Sequence, residues 1–146
     1  VRAQLRTRRE GDPQSVAAPP WPASAAECNN RGIAVIGINA AAAVEAFECA
    51  VGQRPDVVEY QNNLAYAIGK SGRPDEAGAR LTSIVRDHPD RVVALSNLAE
   101  FQAVLGDSAA AVRTLKRLVA ASGDEAEIAV ARAQIRRLAG ASSGTH

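Results

Sequence analysis

The sequence predicts an all-α protein built from recurring helical hairpins. Three observations carry that prediction. The composition is 47% hydrophobic yet only 3% aromatic, with no methionine; alanine and aliphatic residues of this kind favour closely packed helices, whereas strands draw on aromatic and β-branched residues. Apolar residues fall at steps of three and four, as in Leu64, Ala65 and Ile68. Whole segments also return at a fixed interval.

The interval is 33 to 34 residues. Asn30, Asn63 and Asn97 mark it, in NNRGIA, NNLAYA and SNLAEF. Ala43, Ala77 and Ala111 follow the same spacing, as do Phe47, Leu81 and Leu115, then Ala50, Ile84 and Leu118. Gly72 and Gly106 repeat it, and so does the punctuation Pro55-Asp56, Pro89-Asp90 and Gly123-Asp124. Chain length allows one domain with a real core.

Helices are expected near 24–37, 40–53, 57–70, 74–87, 91–105, 108–121 and 124–139. The first opens on a capping box, Ser24-Ala25-Ala26-Glu27. Gly72 and Gly106 close helices, because glycine tolerates the left-handed conformation there. Pro74 suits the first turn of the fourth helix, with Asp75 and Glu76 favouring the positive end of its dipole. Asp107 or Ser108 caps the sixth. Pro55 and Pro89 stop helices, and the aspartate after each is expected to cap the next one. The pairs Gly32 with Ala43, Ala65 with Ala77, and Ala99 with Ala111 let antiparallel helices approach closely. The seventh helix carries Ile128, Ala131, Ile135 and Leu138 on one stripe and Glu127, Arg132, Arg136 and Arg137 elsewhere, as a terminal cap requires.

This pattern resembles the tetratricopeptide repeat, a 34-residue helix–turn–helix unit marked W-x2-L-G-x2-Y, A-x3-F and P. The second unit gives Gln61-x2-Leu64-Ala65-x2-Ile68, Ala77-x3-Leu81 and Pro89. The third gives Leu95-x2-Leu98-Ala99-x2-Gln102 and Ala111-x3-Leu115, with Gly123 for the proline. In the first, Gly32, Val35, Ala43, Phe47 and Pro55 fit, with one residue lost near Gly37 to Ala41. Tryptophan and tyrosine are missing from their marked positions, and Arg31 replaces a leucine. The resemblance implies a right-handed α-solenoid of about three hairpins plus a C-terminal capping helix over 24–140. Outside it, residues 1–23 mix arginine, proline and small residues without periodicity and are expected to form a disordered or loosely packed leader, Trp21 included, and 141–146 a flexible tail.

The resemblance further implies a concave groove lined by the first helix of each hairpin. Its partner-binding residues would be Asn29, Asn30, Ile33 and Ile36, then Glu59, Asn62, Asn63, Tyr66 and Lys70, then Ser96, Asn97, Glu100 and Val104. Asparagine offers both a donor and an acceptor, so a row of them can grip a peptide backbone; the alternative is that Asn30, Asn63 and Asn97 tie adjacent repeats together. The family's carboxylate clamp needs basic residues where this chain has Val93 and Asn97, so a mostly neutral or mildly polar segment, extended or helical, is the expected partner. Self-association through the first hairpin is the further partner reading.

Other chemistry finds little support. Gly69-Lys70-Ser71 looks like the end of a phosphate loop, but Leu64 stands where that loop needs glycine and no strand precedes it. The histidines, His88 and His146, have no nucleophile implied beside them, so no enzymatic activity, cofactor or metal is expected. A net charge of +1 points to no nucleic acid and no anionic membrane. Arg113, Lys116 and Arg117, with Arg132, Arg136 and Arg137, form a basic surface read here as solvation. The apolar run from Gly32 to Phe47 is broken by Asn39 and Glu45, too soon for a membrane span. Cys28 and Cys49 fall on the two helices of one hairpin, where a bridge is conceivable; they are read as small buried hydrophobes. The resulting expectation is a non-catalytic scaffold or assembly factor, cytoplasmic, or periplasmic if a leader has been removed. The alternative is the accessory repeat region of a larger enzyme or secretion machine.

Overall fold

A computed structural model describes residues 23–144 of the protein. The expected leader up to residue 22, Trp21 included, and residues 145–146 of the expected tail lie outside them. Seven helices follow one another among the described residues: α1 (Ala25–Val35), α2 (Ala40–Gln53), α3 (Val58–Lys70), α4 (Pro74–Asp87), α5 (Val92–Val104), α6 (Ser108–Ala121) and α7 (Glu125–Ser142). Each packs on its neighbours in sequence, so α1–α2, α3–α4 and α5–α6 form successive hairpins and α7 closes the row against α6. α3 also touches α5, which brings the first helices of adjacent hairpins together.

The termini explain the boundaries. Ser24 and Glu27 form the expected reciprocal box, with Ser24 N donating to Glu27 Oε2 at 2.8 Å and Glu27 N to Ser24 Oγ at 3.2 Å. Gly72 and Gly106 take φ values of +100° and +82°. Beyond each, the chain turns back with N–H groups bonded to carbonyls five residues earlier, Arg73 to Ile68 and Asp107 to Gln102, the double closure of a Schellman motif. Asp107 caps α6 through Ala110 N, Asn39 caps α2 through Ala42 N, and Asp124 caps α7.

Two of the expected caps are not made. Asp56 and Asp90 do not cap α3 and α5, whose N-cap residues are Val57 and Arg91 without a side-chain bond. Asp56 is held by Arg54 instead, in a two-pronged pair of 2.8 and 3.0 Å. At the other end, α7 runs three residues past its expected limit, because 139–142 meets no proline and Gly140 does not turn to positive φ.

The core follows the recurring columns. Ala43, Ala65, Ala77 and Ala111 are wholly buried where paired helices cross, and Phe47, Leu64, Leu81, Leu98 and Leu115 fill the space around them. Gly32 lies under the ring of Phe47, and Gly69 under that of Phe101; an added Cβ would come within 2.5 and 2.2 Å of those rings. Gln102 occupies the family's tyrosine position and is satisfied there by the buried hydroxyl of Thr114 at 2.7 Å.

The first hairpin is built differently. α1 buries only Ala25, Cys28, Asn29 and Gly32, with no large aliphatic side chain among them, whereas α5 buries Leu95, Leu98 and Phe101. Cys28 sits in the column that Leu95 fills with bulk, and it is bonded to Cys49 of α2 across a Cα–Cα distance of 5.8 Å. The reading of both cysteines as simple buried hydrophobes is therefore corrected: they are cross-linked. Closing a loop of 21 residues restricts the unfolded chain by roughly 3 kcal/mol. The bridge supplies what the small α1 interior lacks.

Two glycines should separate cleanly in urea titrations. Gly69→Ala is expected to destabilise by about 1–3 kcal/mol, since the methyl drives into Phe101. Gly78→Ala, whose new methyl would meet only Leu105 Cδ1 at 4.0 Å, is expected to stabilise by about 0.5 kcal/mol through helix propensity.

Candidate partner groove

The inner face is drawn by helical spacing. On α3, Glu59, Asn63, Tyr66 and Lys70 are separated by four, three and four residues, so they share one stripe. Val93, Asn97, Glu100 and Val104 repeat the stripe on α5 at an offset of 34. Asn30 and Ile33 stand at the matching positions of α1, and Gln134 and Leu138 at those of α7. The stripes lie side by side because α3 touches α5 and Asn63 of α3 bonds Asn29 of α1.

Polar bonds run across them. Asn63 Nδ2 donates to Asn29 Oδ1 at 2.9 Å, and Asn97 Nδ2 donates to Asn62 Oδ1 at 3.2 Å. Asn29 and Asn62 are buried, only 5% and 6% exposed, and each bond ties one repeat to the next. Ser96 stands where a third acceptor would be, and Ala131 of α7 offers it no donor. Asn30 is exposed. Asn63 and Asn97 are half-buried, and no described residue bonds their Oδ1 atoms.

Lys70 and Glu100 meet at 2.6 Å across α3 and α5. The Lys70 ammonium also lies 5.3 Å from the centre of the Tyr66 ring, and that ring packs on Phe101 at 5.9 Å. The hydrogen bond to Glu100 comes first among the causes that hold Lys70 above the ordinary lysine value, against the opposing effect of burial. Sequence spacing placed Tyr66, Lys70 and Glu100 on the face, but nothing in it signalled that the two charges neutralise each other.

Open hollows flank this pair. One of about 460 Å³ lies between α5 and α7, lined by Ser96, Glu100, Val104, Gln134 and Arg137 over Leu115. A second, about 350 Å³, lies between α3 and α5 beside Glu59, Asn63 and Val93. A third, about 500 Å³, is framed by Ile36, Ile38, Tyr66 and Lys70. Ile33, Val93 and Val104 are 52%, 60% and 64% exposed, apolar side chains left open to solvent along the face. Of the expected residues, Asn30, Ile33, Ile36, Glu59, Asn63, Tyr66, Lys70, Ser96, Asn97, Glu100 and Val104 reach the surface at least in part, while Asn29 and Asn62 lie beneath it.

The basic residues read as solvation are exposed. The ion pairs of Arg54, Lys70, Arg73, Arg80 and Arg86 involve none of the six, and Arg137 alone of the six lines the 460 Å³ hollow. Among the described residues no group of His, Cys, Asp and Glu side chains could hold a metal ion. No described helix is long and apolar enough to cross a membrane.

These features define an α-helical repeat protein with an open inner wall. Residues 70–135 match the family model described as tetratricopeptide repeat. Solved structures agree over more of the chain. The Sgt2 TPR domain from Aspergillus fumigatus superposes with a TM-score of 0.71 at 20% identity, over 92% of this chain and 90% of that one. The TPR2B domain of yeast Sti1, in its complex with pHsp70, gives 0.69 at 22% identity, over 83% and 98%. The TPR2AB:pHSP90 complex of yeast Sti1 gives 0.66 at 23%, over 78% of this chain and 44% of that one. No curated protein is matched by the sequence. Residues 70–135 thus read as tetratricopeptide repeat, and the described helices share the fold of such domains.

The asparagine bonds and the ion pair should differ in weight. Asn63→Ala and Asn97→Ala each leave a buried amide oxygen without its donor and are expected to cost about 1–3 kcal/mol by chemical denaturation. Asn30→Ala, on the open surface, should change stability by less than about 0.5 kcal/mol. The Lys70–Glu100 pair has side chains 43% and 39% exposed, so Lys70→Met should cost less than about 1 kcal/mol and less still in high salt. Because the Lys70 value is raised on folding, that small stabilisation is present below the ordinary lysine range and fades as pH climbs through the raised value.

Proposed function

We propose that the protein is a non-catalytic interaction module that holds a partner polypeptide along the face formed by α1, α3, α5 and α7. The observation that carries this reading is the run of exposed aliphatic side chains, Ile33, Val93 and Val104, beside hollows rimmed by side-chain amides. Apolar anchors supply affinity when a ligand covers them, and the amide groups fix its backbone. The open Oδ1 atoms of Asn63 and Asn97 remain acceptors for a peptide N–H while their Nδ2 atoms hold the array together. The complexes of yeast Sti1 with pHsp70 and pHSP90 support a peptide as the class of partner.

The lining suggests the partner's character. Lys70 and Glu100 cancel at the centre of the face, leaving Glu59 towards one end and Arg137 at the other. Such a trough favours a segment with small apolar side chains and little net charge. Disulfides persist in oxidising compartments and are rare in the cytosol, so the Cys28–Cys49 bridge supports the periplasmic alternative over a cytoplasmic location.

A displayed peptide library selected on the full chain tests the reading, with the enriched peptide measured by fluorescence anisotropy. Val93→Glu and Val104→Glu are expected to weaken binding by about tenfold or more, the equivalent of about 1.4 kcal/mol. Arg113→Glu, on the outer side of α6, should leave it within about twofold. Equal losses at all three positions, or no enriched peptide, would overturn the proposal.

A further inference from the structure

We propose that the Cys28–Cys49 bridge is a redox latch that sets the α1 wall and can be opened in the folded protein by a dithiol. The argument begins with what holds α1. Its buried residues besides the bridge itself are one alanine, one asparagine and one glycine: Ala25, Asn29 and Gly32. One side-chain bond, Asn63 to Asn29, joins it to α3, and Gln53 of α2 donates to Ala23 O just ahead of it at 2.6 Å. No other described helix depends so much on a single cross-link.

The two sulfurs are unequal. Cys28 is wholly buried, while Cys49 on α2 is half-buried and reachable. Around Cys28 Sγ stand Arg31 Nη2 and Gln53 Nε2, each at 3.8 Å, and Gln53 Nε2 lies closer still to Cys49 Sγ, at 3.4 Å. This arrangement suits displacement in one direction. A thiolate of the incoming dithiol attacks Cys49 Sγ, the Cys28–Cys49 bond breaks, and its electron pair leaves on Cys28. The Arg31 guanidinium favours that departing thiolate, and thiol–disulfide exchange is fastest when the leaving sulfur carries its charge easily. The second thiol of the reagent then attacks the mixed disulfide and releases Cys49. The dithiol becomes a disulfide, the protein gains two thiols, and the protons pass from reagent to protein; a disulfide oxidant runs the exchange in reverse.

Opening the latch leaves α1 held by the Phe47 ring over Gly32 and by Val35 and Ile36 at the edge of the core, while α3 to α7 retain their leucine and phenylalanine core. α1 carries Asn30 and Ile33, so its loosening takes away one end of the proposed groove. That last consequence rests on the groove reading; the latch does not. On this view the complete inner wall is a property of the protein in an oxidising environment.

The experiment uses the full chain treated with dithiothreitol without denaturant. Alkylation and mass measurement confirm two free thiols, and hydrogen exchange compares residues 25–35 with 92–142. Exchange across 25–35 is expected to rise by about tenfold or more on reduction, with 92–142 changing by less than about twofold. Arg31→Ala should slow the native-state reduction by about threefold or more. A Cys28→Ser, Cys49→Ser variant should reproduce the reduced pattern without reagent. Unchanged protection of 25–35 in the fully reduced chain would overturn the proposal. So would a bridge that yields only in denaturant, or loss of structure across 92–142 in step with 25–35. None of these readings needs a partner, so failure of the latch and failure of the groove are separately visible.

Discussion

How closely two helices of a hairpin can approach sets everything else in this protein. Ala65 of α3 against Ala77 of α4, and Ala99 of α5 against Ala111 of α6, are each 3% exposed or less, with no side chain larger than a methyl at the crossing. In the first hairpin the pair is Gly32 and Ala43, and the Phe47 ring has moved into the space that a Cβ on residue 32 would have taken. Close crossing lets larger residues one turn away, Leu64, Leu81, Leu98 and Leu115, interlock above and below. Because the same spacing returns every 33 or 34 residues, each hairpin adds the same displacement, and first helices end up beside one another. The groove is a by-product of that arithmetic.

The parts of the structure that obey the period were legible from sequence; those that depend on one particular pairing were not. Glycines at 72 and 106, the capping box at Ser24, proline at 74 and the buried alanine columns all follow from local chemistry acting on a repeated pattern. Asp56 and Asp90 also repeat, yet neither caps: the helix begins two residues later in both cases, and Arg54 claims Asp56. The stripe residues of α3 and α5 were placed by spacing alone. Their partners were not, because a hydrogen bond between Asn97 and Asn62, or between Thr114 and Gln102, joins residues that no local rule connects.

The bridge shows the same limit from another side. Cys28 occupies a column where Leu95 contributes bulk in the third unit, and Gln61 in the second. That substitution, together with Arg31 in a leucine column, marked the first unit as the weakest match and also stripped it of apolar filling. The signal for a cross-link was present as a deficit: a hairpin short of core, with one cysteine on each helix. Composition could not separate that from two small buried side chains, since cysteine serves both ends.

The succession of amide ties stops at Ser96, and it matters that it stops there. α1 is joined to its neighbours covalently and by Asn29; α3 and α5 are joined by Asn62 and by opposite charges. α7 meets α5 around Leu115, Gln134 and Leu138, with no side-chain hydrogen bond between the two helices among the described residues. The trough thus has one wall cross-linked and tied by amides, and one that faces α5 through packing and is tied to α6 by the Ser122–Glu127 bond at its start. If the proposed partner lies in this trough, the α7 end is the one that would adjust to its girth, while the middle would set the register of its chain.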